Sequence, residues 1–230
     1  MSTKDFKAEI IKDPNDVDLN FKLIVIGNSG VGKSCLTVKA TKGRFDSIYS
    51  PTISFDFRNL YVKVEDTIIK LQIWDTCGQE VYRSLIRSFY NNSSLAILVY
   101  AIDDEMSFND LNLWLNELKT TGNPDVNIFL IGNKADLEEN RKISKNQGQQ
   151  FAEINKVKLF FETSAKTGFN VQNIFIEASK LLYEKHLKYK NNLSSPESFK
   201  SSNSESNNVD LESVSEENDE ENNIKRRKCC

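Results

Sequence analysis

Short apolar runs alternate with stretches of helical periodicity from residue 21 to about residue 190. In the helical stretches apolar residues recur three or four positions apart, as Phe108, Leu111, Leu115 and Leu118 do. The apolar runs have the length of strands and lie at 21–26, 54–64, 68–74, 95–102, 126–132 and 158–162. Strand–helix–strand units of this kind pair their strands in parallel. The pattern therefore predicts an α/β fold, with a six-stranded, mostly parallel sheet and helices on both faces.

Both ends of the chain depart from this pattern. Residues 1–19 are polar and charged, which predicts a flexible extension ahead of a single domain at 20–190. From 191 to 224 the composition shifts to Ser, Asn, Glu and Asp, and too few apolar residues remain to offset the entropy of ordering. A disordered acidic linker is expected there. The final segment, 225–230, reads KRRKCC.

The net charge of −3 is unevenly distributed. Residues 191–228 hold nine acidic and five basic side chains, a net charge of −4, which leaves +1 for the rest of the chain. A nearly neutral folded part argues against nucleic acid as the main partner. The longest apolar run, at 95–102, is far too short to span a bilayer and is typical of a strand buried on both faces.

The cysteines and the histidine exclude several kinds of chemistry. Cys35 and Cys77 are isolated in the sequence and no Cys-x-x-Cys spacing occurs, so neither a zinc site nor a disulfide framework is expected. A reducing cytosolic compartment fits this cysteine usage better. His186 is the sole histidine and lies late in the last helical stretch, which excludes Ser-His-Asp and Cys-His catalysis. Any catalysis must then use a metal ion, backbone, lysine and amide groups.

A glycine-rich phosphate loop, GNSGVGKS at 27–34, follows the first predicted strand and opens a helix. In this arrangement several backbone N–H groups point at one cluster of phosphates. Lys33 supplies a cation for the β- and γ-phosphates, and the Ser34 hydroxyl suits a Mg²⁺ ion that bridges them. The chain is therefore predicted to bind a nucleoside phosphate through Ser29, Gly30, Val31, Gly32, Lys33, Ser34 and Cys35.

The choice of guanine comes from the NKAD run at 133–136, which follows a buried strand and so lies at the ligand-binding edge of the sheet. The Asp136 carboxylate can accept hydrogen bonds from N1–H and the 2-amino group of guanine, whereas adenine would leave it unpaired. Asn133 can bond N7 or the neighbouring loops, and the Lys134 stem can lie along the base. A second loop can offer a backbone N–H to guanine O6 through Ser164, Ala165 and Lys166.

Polar residues placed to respond to a γ-phosphate follow the third predicted strand. Asp75 can hold the Mg²⁺ shell through water or Ser34, and the Gly78 N–H can sense the γ-phosphate. Gln79 can orient an attacking water and is the predicted catalytic residue, an interpretation we favour over an exposed polar turn residue.

Two more candidates lie between the helix of the phosphate loop and the second strand. Thr52 can complete the Mg²⁺ coordination only when a γ-phosphate is present. Phe45 can stack edge-on beside the base. Mg²⁺, held by Ser34, Thr52 and Asp75, is thus the predicted cofactor, and GTP or GDP is the predicted bound nucleotide.

Taken in order, these motifs resemble those of the Ras-like small GTPases and, among them, the Rab family. The resemblance covers about 20–189 and the terminal Cys-Cys. Rab-like runs are KLQIWDT at 70–76, YRSLIRSFY at 82–90 and ETSAK at 162–166. The resemblance implies a single P-loop GTPase domain and a GTP/GDP switch, with two mobile segments near 45–57 and 75–90 that are ordered by the γ-phosphate.

The same resemblance implies an activity and a set of partners. Such a protein hydrolyses GTP slowly and recruits effector proteins that regulate vesicle and membrane traffic. Its other partners would be a guanine-nucleotide exchange factor, a GTPase-activating protein, and a GDP-dissociation inhibitor or prenylation escort. Effectors would contact Ile53 and an aromatic trio, Phe57, Trp74 and Phe89, although packing between sheet and switch explains the trio equally well.

The last two residues, Cys229 and Cys230, resemble the doubly geranylgeranylated ending of Rab proteins. Two lipid chains anchor a protein stably, and the basic patch at 225–228 adds attraction to anionic lipid, which the acidic stretch before it opposes. The resemblance implies a location on the cytoplasmic face of an endomembrane compartment, with cycling through the cytosol.

Two departures from the Rab pattern and two other functions stay open. Ser54 replaces the usual glycine, which puts effector choice in doubt, and Cys77 stands where alanine is usual, beside the γ-phosphate sensor. The first alternative function is a GTP-binding adaptor without useful hydrolysis, against which the intact Gln79 and Thr52 count. The second is a small-molecule kinase with the same phosphate loop, which would need an arginine-rich lid that the sequence lacks.

Overall fold

Seven strands form one sheet in the computed structural model, which describes residues 5–45, 56–76, 89–122 and 126–193. The strands are β1 (Ala8–Ile11), β2 (Leu19–Ile26), β3 (Asp56–Val64), β4 (Thr67–Asp75), β5 (Leu95–Ala101), β6 (Asn127–Asn133) and β7 (Leu159–Glu162). Their order across the sheet is β1-β3-β4-β2-β5-β6-β7. The pairings from β4 to β7 in this order are parallel, whereas β3 is antiparallel to both β1 and β4.

Helices connect the parallel strands. Within the described residues they are α1 (Lys33–Lys42), α2 (Glu105–Asn109), α3 (Leu111–Thr121), α4 (Lys145–Ile154) and α5 (Val171–Leu193), with a 3₁₀ turn at Glu138–Asn140. Local sequence explains where α4 begins. The Ser144 side chain accepts a hydrogen bond from the Gln147 N–H, and the Gln147 side chain accepts one from the Ser144 N–H, so the pair forms a capping box.

Two apolar cores lie on opposite faces of the sheet because side chains alternate along each strand. On one face, Val25 and Val99 pack with residues of α1 and α5. On the other face, Ile26 and Leu98 pack with residues of α3 and α4, among them the fully buried Trp114. Strands β5 and β6 are buried along their whole length. The predicted α/β architecture, mostly parallel with helices on both faces, is confirmed, with one strand more than the six predicted.

The seventh strand, β1, lies inside the segment expected to be a flexible extension. Residues 8–11 pair with β3, and the Phe6 ring meets the Tyr183 ring of α5 edge-on at 5.2 Å. The Lys7 N–H also donates to a carboxylate oxygen of Glu65 at 2.8 Å. A four-residue strand among charged neighbours leaves little periodicity to read, and its ordering depends on the edge of β3, which is distant in sequence. The prediction of flexibility therefore differs from the structure at this point.

At the other end of the domain, α5 continues to Leu193, slightly past the predicted boundary at 190. The rest of the linker and the segment 225–230 lie outside the described residues. None of the described helices combines the length and the apolar character needed to cross a membrane.

Candidate functional site

The predicted site residues converge where the parallel strands end. The phosphate loop follows β2, Asp75 ends β4, Asn133 ends β6, and Ser164 follows β7. Because the carboxyl ends of parallel strands lie at the same edge of a sheet, loops that are far apart in sequence meet here.

Glycines shape the phosphate loop where it passes close to the sheet. A Cβ at Gly27 would overlap the carbonyl oxygen of Val99 in β5. Gly32 has φ +95°, a left-handed conformation, and a Cβ there would overlap the Asn133 side-chain amide. A side chain at either position would clash with the sheet. Glycine at both positions therefore lets the loop lie against β5 and the end of β6.

The Lys33 ammonium is held inside the loop to which it belongs. Lys33 is 5% exposed, and its Nζ donates to the carbonyl oxygens of Gly27 and Asn28, at 2.8 Å each. The helix α1 begins at Lys33, and Gly32, the residue before it, has no side chain to cap the first turn. A buried cation and the positive end of a helix dipole thus lie together, an arrangement that suits a phosphate.

Asp75 carries a buried charge that its neighbours compensate only in part. It is 1% exposed, and neither carboxylate oxygen is in hydrogen-bond geometry with a described group. Burial raises the pKa of Asp75 to about 6, although the neighbouring Ser34 hydroxyl and Lys33 ammonium each oppose that rise. A buried carboxylate whose charge is only partly offset is suited to a metal ion's coordination shell.

These residues fit Mg²⁺. The described part of the chain holds no cluster of three or more His, Cys, Asp and Glu side chains that could bind a metal ion by themselves. Mg²⁺ does not need one, because it commonly takes one or two carboxylates and completes its shell with phosphate oxygens and water. Asp75 and the hydroxyl of Ser34 are the described residues that would hold it. The end of β4 is fixed nearby, since the Thr76 hydroxyl donates to the Val25 carbonyl at 2.7 Å.

Asn133 joins the loops of the site. Its Nδ2 donates to the carbonyl oxygen of Val31 in the phosphate loop at 2.8 Å. Its Oδ1 accepts from the Thr163 hydroxyl at 3.1 Å and from the Ala165 N–H at 3.3 Å. The sequence leaves two roles open for Asn133, a hydrogen bond to N7 of the base or hydrogen bonds to neighbouring loops. The structure shows the hydrogen bonds to neighbouring loops. The sequence does not predict the hydrogen bond from Thr163 to Asn133. Thr163 nevertheless lies in the ETSAK run, next to residues that are predicted to belong to the site.

Asp136 is also already partnered. Its Oδ1 accepts from the Ser164 hydroxyl at 2.6 Å, and its Oδ2 lies 3.9 Å from the ammonium of the mostly exposed Lys166. The neighbouring Lys134 has its Nζ 3.3 Å from an Asp103 oxygen. Contacts within the protein therefore orient the carboxylate that is predicted to recognise guanine.

Phe45 is the last described residue before 46–55 and is 37% exposed. Its place beside the base stays a prediction. Ala165 donates its N–H to Asn133 in this structure, and a backbone N–H from this loop to guanine O6 stays a prediction.

An aromatic cluster lies beside this site on β3 and β4. The Phe57 and Trp74 rings are 5.3 Å apart, and the Trp74 and Phe89 rings are 5.1 Å apart. The Lys22 ammonium lies 5.1 Å from the Trp74 ring centroid and donates to the Asn91 carbonyl at 2.9 Å. Phe57 is 44% exposed, so one edge of the predicted trio faces solvent.

Other predicted residues fall outside the described part of the chain. These are Thr52, Ile53, Ser54, Cys77, Gly78, Gln79, Cys229 and Cys230. Their predicted roles in Mg²⁺ binding, hydrolysis, effector contact and lipidation stay predictions.

A comparison with protein families agrees with this arrangement. A family model described as the Ras family matches residues 22–184, well over half of the chain. The matched range contains the phosphate loop, Asp75, Asn133 and Asp136, and it ends before the linker and the terminal cysteines.

Proposed function

Because the chain belongs to the Ras family, we propose that it is a Rab-type GTP/GDP switch that hydrolyses GTP slowly and regulates membrane traffic. The domain itself is that of a small GTPase, a nucleotide-binding switch. The observation that supports the nucleotide-binding part of the proposal is the position of Asn133, whose amide binds both the phosphate loop and the loop after β7. One side chain thus ties the predicted phosphate site to the predicted base site.

Each half of the site has a separate part in nucleotide binding. Lys33 and the backbone N–H groups of its loop bind the β- and γ-phosphates. Mg²⁺, when bound, neutralises charge on the same phosphates. Asp75 supplies the buried carboxylate for that ion, and Asp136 selects guanine.

Hydrolysis rests on residues beyond the described part. Gln79 holds an attacking water in line with the γ-phosphate, while Gly78 and Thr52 respond to that phosphate. Lys33 and the loop N–H groups then stabilise the charge that develops on the transferring phosphoryl group. An activating protein that adds an arginine or a glutamine accelerates the step.

Membrane attachment depends on the C-terminus. Geranylgeranylation of Cys229 and Cys230 anchors the protein, and the basic patch at 225–228 adds attraction to anionic lipid. A GDP-dissociation inhibitor returns the protein to the cytosol. In the GTP state, effectors bind the surface around Phe57, Trp74 and Phe89.

Single-turnover GTP hydrolysis tests the catalytic part. Purified protein is loaded with GTP, Mg²⁺ is added, and phosphate release is followed for the wild type and Gln79→Leu. We expect the variant to release phosphate at least about tenfold more slowly, since water positioning is lost. Equal rates would remove Gln79 from catalysis, and no release from either protein would favour a GTP-binding adaptor.

Nucleotide competition separates the switch from a kinase. Excess GDP should displace a fluorescent GDP analogue, and excess ATP or ADP should not. Displacement by adenine nucleotides as effective as that by GDP would favour a small-molecule kinase.

Membrane attachment is tested by imaging the tagged protein in cells. The double substitution Cys229→Ser and Cys230→Ser keeps the chain length and removes only the thiols, so it is the matched control for the wild type. We expect the wild type on an endomembrane and the variant in the cytosol. A variant that stays on the membrane would refute anchoring by these cysteines.

A further inference from the structure

A closed hydrogen-bond triangle links the phosphate loop to α3. The Trp114 indole N–H donates to Asn28 Oδ1 at 2.7 Å, and Asn28 Nδ2 donates to Asp110 Oδ2 at 2.6 Å. The third side is local, because the Trp114 backbone N–H donates to the Asp110 carbonyl at 3.2 Å. Asn28 thus bonds at once to two residues that are more than eighty positions away.

The chemistry of the partners fixes the orientation of the Asn28 amide. An indole nitrogen can only donate a hydrogen bond, and an ionised carboxylate can only accept one. The amide oxygen must therefore face Trp114 and the amide nitrogen must face Asp110. A side chain with one acceptor and one donor is required at position 28 for this pair of neighbours.

Asn28 also contacts the Lys33 ammonium through its backbone carbonyl. The Asn28 carbonyl accepts from Lys33 Nζ, as the Gly27 carbonyl does. Trp114 is a residue of α3 whose side chain is fully buried in the core. The triangle therefore anchors the start of the phosphate loop to the packed core. Movement of Asn28 would displace one of the two carbonyls that hold the Lys33 ammonium.

We propose that Asn28 is a positioning residue that holds the phosphate loop and Lys33 in register with α3 and thereby slows nucleotide release. This inference rests on the proposed nucleotide-binding function. It assigns no contact between the Asn28 side chain and the nucleotide.

Substitutions at positions 28 and 110 test the triangle by reversing its donor and acceptor. Asn28→Asp sets a carboxylate against Asp110, so the donor is lost and two like charges meet. Asp110→Asn added to Asn28→Asp restores the geometry, because the introduced amide can donate to the introduced carboxylate and Trp114 can still donate to it. Asp110 makes no side-chain cap on α3, so its replacement removes no cap.

The measurement is the rate of release of a fluorescent GDP analogue from the full chain with Mg²⁺ present, together with the unfolding temperature. We expect Asn28→Asp to release the analogue about tenfold faster, the effect of losing a hydrogen bond to a charged group. The double variant should return to within roughly threefold of the wild type, which a loss of independent contacts would not produce.

Several outcomes would overturn the inference. One is an unchanged release rate in Asn28→Asp, and another is a double variant no slower than Asn28→Asp alone. A third is a lower unfolding temperature in both variants without faster release, since it would give the triangle a purely structural role. If Asn28→Asp does not fold, Trp114→Phe, which deletes the indole N–H and keeps a ring, must show the faster release. A wild type that fails to bind the analogue would instead refute the proposed function.

Discussion

The two halves of the site differ in the contacts that their carboxylates make within the protein. In the base half, Asn133 and Asp136 are hydrogen-bonded to the loop after β7. In the metal half, Asp75 is buried without a described hydrogen-bond partner, and burial raises its pKa to about 6. The base half is held by its own hydrogen bonds, whereas the metal half holds a buried carboxylate whose charge a divalent cation would further stabilise.

This difference assigns separate tasks to the two halves. A preformed carboxylate selects its ligand by shape and hydrogen bonding, at little cost of rearrangement. A buried carboxylate beside a buried ammonium makes affinity depend on the cation and the phosphates that join them. We therefore expect changes in the metal half to alter how long a nucleotide stays, and changes in the base half to alter which nucleotide is bound.

The largest expected effect comes from Lys33→Ala. Removing the buried cation should lower affinity for GDP and GTP by at least about a hundredfold, because the phosphates lose a charge-assisted hydrogen bond in a site of low dielectric. Calorimetric titration of nucleotide-stripped protein measures it. Lys42→Ala, an exposed lysine in the same helix, is the matched control and should bind normally. Retained affinity in Lys33→Ala would contradict the phosphate-loop assignment.

The next effect sharpens the role of the base half. Asp136→Asn should shift preference from guanine toward xanthine nucleotides by roughly a hundredfold or more, since the amide can donate to the 2-oxo group that the carboxylate repels. Competition between GDP and XDP measures the ratio. The Mg²⁺ dependence of binding should not change, because Asp75 and Ser34 are untouched. An unaltered ratio would remove Asp136 from the base site.

Asp75→Asn should act in opposite directions with and without ligand. In nucleotide-free, Mg²⁺-free protein, the raised pKa of Asp75 means that ionisation costs stability, on the order of 3 kcal/mol above pH 6. That cost grows from pH 3.8 to about 6 and is absent below 3.8, where the carboxyl is protonated in both folded and unfolded chains.

Urea unfolding at pH 5 and pH 7.5 measures this prediction. The ligand-free variant should be more stable than the wild type, by more at pH 7.5 than at pH 5. With GDP and Mg²⁺ added, the order should reverse. A ligand-free variant that is less stable than the wild type at pH 7.5 would show that Asp75 is compensated within the protein.

The smallest effect comes from substitutions in the N-terminal strand β1, which should not change nucleotide or Mg²⁺ binding. Ile10→Asp places a charge on the half-buried face of β1 and should cost about 2 kcal/mol of folding stability. The exposed neighbour Glu9→Ser is the control and should cost little. Chemical denaturation measures both, and guanine selectivity should stay unchanged. Equal stabilities for the two variants would mean that β1 adds nothing to the fold.

The parts of the site that are encoded by a short stretch of sequence can be predicted from the sequence alone. The phosphate loop and the NKAD run at 133–136 are short motifs whose neighbours in sequence decide their structure. The triangle of Asn28, Asp110 and Trp114 could not be predicted this way, because it joins residues more than eighty positions apart.

The burial of Asp75 is likewise a property of packing. The sequence predicts a carboxylate at the end of β4, but its burial follows from the pairing of β4 with β2 and β3 on either side. For the same reason the sequence does not predict β1, since its pairing partner is an edge formed by β3. The sequence therefore predicts which residues are present at the site, and tertiary contacts decide which of them are already satisfied.

The most direct test of the two-part site is the rate of GDP release from the full chain before and after EDTA, with excess GDP or ATP as the chase. We predict release at least about tenfold faster after EDTA, since no divalent cation then offsets the negative charges of Asp75 and the phosphates. We also expect excess GDP to block rebinding of the fluorescent GDP analogue both before and after EDTA. Excess ATP should not block it in either condition. A release rate that EDTA leaves unchanged, or a guanine preference that disappears with the metal, would contradict the two-part site.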